Sequence, residues 1–261
     1  MLAGNEKITF DSSPFAQGTW RYAFKGYRAS DKKKTQPLVV KCAIGKTSMS
    51  KSDWSTEEAM QKKADDFAKL WNTRCAGQTY QQSTPKLIDR IRFLDIFYGT
   101  ATGDSKYSKK GEWLVYEPFL TGVYTKYNNN TGYENPAFPG ATAFSHWSFE
   151  VSGHRFLVCD LQGVQSGSVY RLTDPVVHSY DQRYGPASTD HGSMGMQYVM
   201  GGHTCNAICQ ALGLAVWTGP RQVVQNSGTL YRAHLSRHQK RNIRRGSRFV
   251  QETIEEESDE D

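Results

Sequence analysis

Lys41 closes the apolar run Pro37-Leu38-Val39-Val40, so a cation is presented from a strand that a core must hold. Neutralising a polyphosphate needs that placement. Taken alone, the residue equally fits a strand-end lysine whose head reaches solvent. Upstream, Phe15-Ala16-Gln17-Gly18-Thr19-Trp20-Arg21 sets one glycine in a turn between two strands, where backbone N–H groups could cover phosphate oxygens. Asp160 follows Phe156-Leu157-Val158-Cys159 and precedes Leu161-Gln162-Gly163, which puts a carboxylate where a buried strand leaves the core. Asp174, in Thr173-Asp174-Pro175, stands fourteen residues further on, beyond the turn Gln165-Ser166-Gly167-Ser168. These acids with the amide of Gln162 could hold magnesium, which takes oxygen ligands and often only one or two protein carboxylates, waters and substrate phosphates completing its octahedron. Capping before a proline is the other reading of Asp174.

A second constellation is His203-Thr204-Cys205-Asn206-Ala207-Ile208-Cys209. A helix over Thr204–Leu214 would set Cys205 and Cys209 on one face, with His203 approaching from the preceding turn. Two thiolates and two neutral imidazoles suit a closed, tetrahedral, structural zinc site. The fourth ligand is open among His146, His154, His178 and His191, which spacing does not separate. Two small core cysteines beside a surface histidine are the alternative.

The elements that must carry these groups can be read from periodicity. Trp20–Tyr27 and Leu38–Ile44 read as hairpin-linked strands about the polar turn Ser30-Asp31-Lys32-Lys33-Lys34. Trp54, Met60, Ala64, Phe67, Ala68 and Trp71 fall at helical spacing over residues 54–72, behind an Asp53 or Ser52 cap. Pro85–Tyr98 and Glu112–Leu120 read as further strands around the polar insertion Thr100–Lys110. Glycine, proline and asparagine cluster over Asn128–Gly140, which reads as a long exposed connection, with a lobe boundary near residues 118–130. Ala143–Glu150 and Arg155–Val164 read as a helix end or a strand pair, and Gly213 would stop the last helix.

The chain has 261 residues, enough for one large domain or two lobes sharing a site. Its apolar runs are far short of the ~20 residues a membrane-spanning helix needs. The five cysteines are too few and too irregular for a disulfide framework. With no basic segment leading into an apolar stretch at Met1–Lys7, an intracellular, cytoplasmic protein is expected. Residues 232–248 carry seven Arg and Lys and residues 252–261 seven Asp and Glu, so this charged tail cancels itself and the body keeps the net +6. The fold is expected to end near Tyr231. A modestly basic body suits polyanionic ligands, nucleotides included, without singling out nucleic acid.

In order, these pieces resemble the catalytic domain of the alpha-kinase family of atypical protein kinases. The resemblance rests on Pro14–Gly18 through Arg21–Gly26, Val39-Val40-Lys41, and Tyr116-Glu117-Pro118-Phe119-Leu120 running into Lys126-Tyr127-Asn128-Asn129-Asn130. It continues through Ala143-Phe144-Ser145-His146, Asp160-Leu161-Gln162-Gly163-Val164, Thr173-Asp174-Pro175 and the His203–Cys209 cluster with Ala211–Leu214. What it implies is an α+β, two-lobed kinase-like domain over residues 8–231, the N-lobe about 8–118 and the C-lobe about 119–231. ATP would lie in the cleft between the lobes, and the tail over 232–261 would be appended.

The implied activity is transfer of the γ-phosphoryl group of Mg-ATP to Ser or Thr of a protein, with the chain itself as another acceptor, and with no membrane partner and nucleic acid not expected. By the family's pattern Gly18, Thr19, Trp20 and Arg21 cover the phosphates and Lys41 contacts them. Main-chain groups of Glu117 and Phe119 hold adenine, Phe119 as donor because Pro118 has no N–H. Asp160 is the catalytic aspartate, Gln162 and Asp174 the magnesium pair, and His146 the fourth zinc ligand beside His203, Cys205 and Cys209. The family's usual Asn-Leu-Gly appears here as Asp190-His191-Gly192, which would alter nucleotide and peptide contacts from that loop. The alternatives are a catalytically impaired ATP-binding scaffold of the same fold and a zinc-containing nucleic-acid-binding protein.

Overall fold

The computed structural model of the chain describes residues 7–18, 21–45, 50–185 and 188–221. The tail over 232–261, the expected end of the fold at Tyr231, and Thr19 and Trp20, expected to cover phosphate, lie outside the described residues. The chain begins with β1 (Ile8–Phe10), β2 (Ala16–Gln17), β3 (Arg21–Arg28) and β4 (Leu38–Ala43). A 3-10 turn, Lys51–Trp54, leads into α1 (Ser55–Arg74), followed by β5 (Thr79–Tyr80), β6 (Lys86–Leu87), β7 (Arg90–Phe93), β8 (Phe97–Thr100) and β9 (Trp113–Pro118). Then come β10 (Thr125–Lys126), α2 (Pro139–Val151), β11 (Phe156–Cys159), β12 (Gln162–Ser166), β13 (Val169–Thr173) and β14 (Val176–Ser179). The described part closes with α3 (Gly192–Gly202) and α4 (Ala207–Ala211).

The first sheet runs β1-β3-β4-β9-β8 with β2 on β3. β4 lies between β3 and β9, which is why Leu38, Val40, Lys41, Cys42 and Ala43 are all buried. Phe24, Val40, Cys42 and Leu114 pack on one side of this sheet, and Ala43, Trp54 and Val115 form a cluster of their own. A second sheet runs β10-β12-β13-β7, in which β7 pairs parallel with β13. α1 forms where its periodicity places it and buries Met60, Ala64, Phe67, Ala68 and Trp71. Asp53 accepts from Ser50 N–H at 2.8 Å and Ser50 Oγ–H at 2.7 Å, so it closes the 3-10 turn one step upstream of α1. The Asn72 side chain pairs with both backbone groups of Ile91, donating at 2.6 Å and accepting at 2.9 Å, and so covers the open edge of β7.

The large core joins α1, β7, α2, β11 and β13, with Trp71, Phe144 and Trp147 packed ring to ring. A division near residue 118 therefore describes the strands of the first sheet but not α1 and β7. Those precede it in sequence and pack with elements that follow it. The expected exposed connection over Asn128–Gly140 is corrected too, since Asn128, Asn129 and Asn130 are wholly buried. Their side-chain amides stand in for backbone partners: Asn128 Oδ1 accepts from Leu161 N–H at 2.8 Å, and Asn129 Oδ1 from Thr131 and Tyr133 N–H, both at 2.9 Å. Ala143–Glu150 lies inside α2, while Arg155–Val164 divides between β11 and β12. Among the described residues no helix is long and apolar enough to cross a membrane.

Candidate active site

Lys41 projects from β4 into a buried cluster of oxygen atoms. Its Nζ lies 2.7 Å from Glu117 Oε1, 2.8 Å from Asp174 Oδ1 and 3.2 Å from Thr173 Oγ1. Thr173 in turn donates to Glu117 Oε2 at 2.6 Å. Two sheets thus meet at one cation, β4 and β9 from the first and the end of β13 from the second. Arg21 Nη1 reaches the same Asp174 Oδ1 at 3.1 Å. Burial alone would raise the Asp174 carboxyl, but the Arg21 and Lys41 charges beside it hold it well below the usual carboxylate range. Glu117 goes the other way: its burial outweighs Lys41, and the neighbouring Asp174 charge adds to the rise.

Asp160 lies 3% exposed just past β11. Lys126 of β10 reaches its Oδ1 at 2.6 Å and Gln162 Oε1 at 3.5 Å, because β10–β12 pairing sets Lys126 opposite Gln162. Gln162 Nε2 donates to the Asp174 carbonyl at 3.5 Å. Lys41, Asp174, Gln162, Lys126 and Asp160 therefore form one continuous chain of contacts. Among the described residues five non-glycine residues have φ above zero, and Asp160 at 58° and Asp174 at 48° are two of them. Aspartate tolerates this region better than most residues, and held strain of this kind collects at functional sites. At Gly163, φ +149°, an added Cβ would lie 2.1 Å from Arg171 O, so glycine is required where β12 leaves this turn.

Gly18 N–H donates to Arg21 O at 2.9 Å, one residue beyond the Gln17–Tyr22 pair of β2 and β3. Phe119 differs from expectation. Its N–H donates to Pro37 O at 3.0 Å because the β4–β9 ladder runs one residue past β9, so the expected adenine donor is already engaged. The Glu117 backbone lies inside the same ladder opposite Val39, while its side chain holds Lys41. Sequence reading missed that side-chain role, and placed Lys126 and Thr173 within matching segments without giving either a role. An acid inside the apolar run Val115-Tyr116-Glu117 was the available signal for the first. Nothing local marks Lys126, whose role comes from strand pairing.

The predicted metal ligands do converge. One ligand atom each from His146, His203, Cys205 and Cys209 lies within 4.8 Å of the others. His146 Nδ1 is 3.8 Å from Cys205 Sγ, and His203 Nε2 is 3.5 Å from Cys209 Sγ. Glu134 Oε1 accepts from His203 Nδ1 at 2.7 Å, which leaves Nε2 for the cluster, as an outer carboxylate orients a metal-binding imidazole. The means differ from the sequence reading: α4 covers only Ala207–Ala211, and its cap Asn206 accepts from Ile208 and Cys209 N–H. Cys205 therefore precedes the helix and does not share a face with Cys209. His154 is exposed beside Glu150, with 3.4 Å between His154 Nε2 and Glu150 Oε1. His178 and His191 are buried together elsewhere.

The Asp190-His191-Gly192 segment is a structural junction, with all three residues buried between β14 and α3. Asp190 accepts from Ser179 N–H at 3.0 Å, Ser179 Oγ–H at 2.6 Å and Gly192 N–H at 2.8 Å. His191 N–H donates to His178 Nδ1 at 3.1 Å, so His178 Nε2 carries the proton and donates to Asn130 O at 3.1 Å.

A buried lysine held by a glutamate, an aspartate at the far end of a strand pair and a second aspartate and amide beside it define a fold and site of kinase type. The family model described as the alpha-kinase family matches residues 16–209, and the chain belongs to that family. It is 32% identical to alpha-protein kinase 1 of Dictyostelium discoideum over 228 residues, 86% of this chain and 15% of that protein. It is 30% identical to myosin heavy chain kinase B of the same organism over 229 residues, 87% of this chain and 28% of that protein. The chain thus spans less than a third of these curated relatives. Among solved structures, the alpha-kinase domain of myosin-II heavy chain kinase A in complex with AMP-PNP superposes with TM-score 0.66 at 23% identity, covering 82% of this chain and 90% of that one. An alpha kinase from Entamoeba histolytica gives 0.67 at 23%, covering 86% and 84%.

Proposed function

We propose that this chain is an ATP-dependent protein kinase domain that transfers the γ-phosphoryl group of ATP to serine or threonine of a protein. The carrying observation is the unbroken contact chain from Lys41 through Asp174 and Gln162 to Lys126 and Asp160, assembled from strands far apart in sequence. Phosphoryl transfer needs little covalent chemistry from the protein; it needs positioned charge and an oriented nucleophile. Lys41 and Arg21 supply positive charge at the Asp174 end, beside the Gly18 turn. Asp160 stands at the other end, where it orients the acceptor hydroxyl and takes its proton. Lys126 fixes the orientation of that carboxylate. An intracellular setting, where ATP is available, belongs to the same reading, as does a kinase domain over 8–231 with an appended tail.

Gln162 and Asp174 fit magnesium by donor chemistry, since both side chains offer hard oxygen atoms, and the Gln162 amide N–H on the Asp174 carbonyl ties the two residues together. Bound there, the ion would neutralise the phosphate charge that develops in transfer. The His146, His203, Cys205 and Cys209 set fits structural zinc by donor chemistry and by the Glu134 support. It would tie α2 to the segment leading into α4, away from the Lys41–Asp160 contact chain.

Incubation of the chain with γ-labelled Mg-ATP and a basic protein substrate, followed by phosphoamino-acid analysis, tests this reading. Label confined to phosphoserine and phosphothreonine is expected. Phosphotyrosine as the main product would remove the acceptor assignment.

A further inference from the structure

Arg90 and Arg92 alternate with buried Ile91 and Phe93 on β7, so both stand on the exposed face of the second sheet. The parallel register places Arg92 directly beside Arg171 of β13, itself exposed between buried Tyr170 and Leu172. Neighbouring strands lie ~4.8 Å apart, so two guanidinium-bearing positions are adjacent and the third is one pleat away. Like charges opposed in this way disfavour a sheet unless an anion joins them. Among the described residues none of the three forms an ion pair, and Asp89, next in sequence, accepts from Gln165 Nε2 at 2.8 Å.

We propose that the chain's own acidic segment, residues 252–261, docks in cis on the Arg90–Arg92–Arg171 face. Seven of its ten residues are Asp or Glu, the sign and density that a set of unpaired arginines accepts, each carboxylate being able to meet a guanidinium in two parallel hydrogen bonds. The segment can reach: Arg221, the last described residue, bonds to His203 O, and the stretch from there to Glu252 extends up to ~100 Å. That is several times the ~17 Å radius of gyration expected of a domain this size. Tethering makes the docking intramolecular, at an effective concentration that favours it over a free acidic partner. The seat also adjoins the site described above. Val164 pairs in register with Arg171, and a Cβ at Gly122 would lie 2.7 Å from Val164 Cγ1, so the docked segment borders the connector leading to Lys126.

The nearer rival for the acidic segment is the basic stretch over 232–248, with its seven Arg and Lys. A Glu-specific protease on the full 261-residue chain separates the two. The rate of cleavage after Glu252–Glu257 is compared, at low salt, for wild type, Arg92→Gln/Arg171→Gln, and a control carrying Lys32→Gln/Lys33→Gln on the exposed β3–β4 turn. Expected is cleavage about five-fold faster in the arginine variant than in wild type, a control that matches wild type, and loss of the difference at 0.3 M salt, where the screening length falls to ~6 Å and exposed ion pairs weaken. Equal rates in all three proteins would overturn the proposal, whether the segment is unseated or pairs with 232–248. Protection that rises with protein concentration would assign the seat to a second copy and overturn docking in cis. Thermal unfolding checks the variant's fold, and Arg171→Gln alone serves if the double change unfolds. The readout is independent of phosphoryl transfer.

Discussion

Breaking the Lys41–Glu117 pair from one side leaves a buried charge without its partner, which typically costs about 3–5 kcal/mol. Lys41→Met is therefore expected to destabilise the chain by about 3 kcal/mol and to abolish phosphoryl transfer. Lys41→Met/Glu117→Gln should recover most of that stability and none of the activity. Urea unfolding beside a transfer assay checks both, and recovered activity in the double variant would show that the lysine is only structural. Lys41, Asp160 and Asp174 were legible in the sequence because polar groups at the ends of apolar runs have little choice of where to point. Lys126 was not, since its partnership with Asp160 exists only once β10 pairs with β12. The engagement of Phe119 N–H with Pro37 O was not legible for the same reason, because a ladder's reach past its last residue is a property of the partner strand.

At the level of elements, Asp190 pins the start of α3 to the end of β14. Burial alone would raise its carboxyl, but the Ser179 N–H and Oγ–H that it accepts from hold it below the ordinary value. A depressed folded pKa gives stability that is present above the unfolded value of ~3.9 and is lost as pH falls through the folded one. Asp190→Asn should therefore lower stability by about 2–4 kcal/mol at neutral pH, with a smaller deficit in acid. Denaturant titrations at pH 7 and pH 3 check this; a deficit that does not shrink in acid would contradict the assignment. Helix α1 and the β3–β4 hairpin were legible because periodicity and burial agree there. The Asn128–Asn130 segment was not, because asparagine signals a loop by composition while its amides here serve a buried one. α4 was read too long for a related reason: Asn206 caps the helix after Cys205, and cysteine spacing alone does not reveal where a helix begins.

For the molecule as a whole, the cluster of His146, His203, Cys205 and Cys209 links α2 to the segment that closes the described fold. Cys209→Ser is expected to lower bound zinc below one equivalent and to destabilise the fold by about 3 kcal/mol or more, as loss of one ligand opens a structural site. Elemental analysis with thermal unfolding checks it, and unchanged metal content would contradict the ligand set. The order of motifs along the chain carried the family, whereas the partition of elements between sheet and core did not follow from that order. α1 precedes residue 118 and still packs in the core of the elements after it, through contacts with α2 and β11 that no local pattern encodes. The most direct test of the kinase reading is transfer of label from γ-labelled Mg-ATP to protein by wild type and by Asp160→Ala of verified fold. The account predicts incorporation by wild type and a loss of ~10²–10⁴-fold in the variant, the range for a positioned general base. No incorporation by folded wild type, or equal incorporation by the variant, would contradict it.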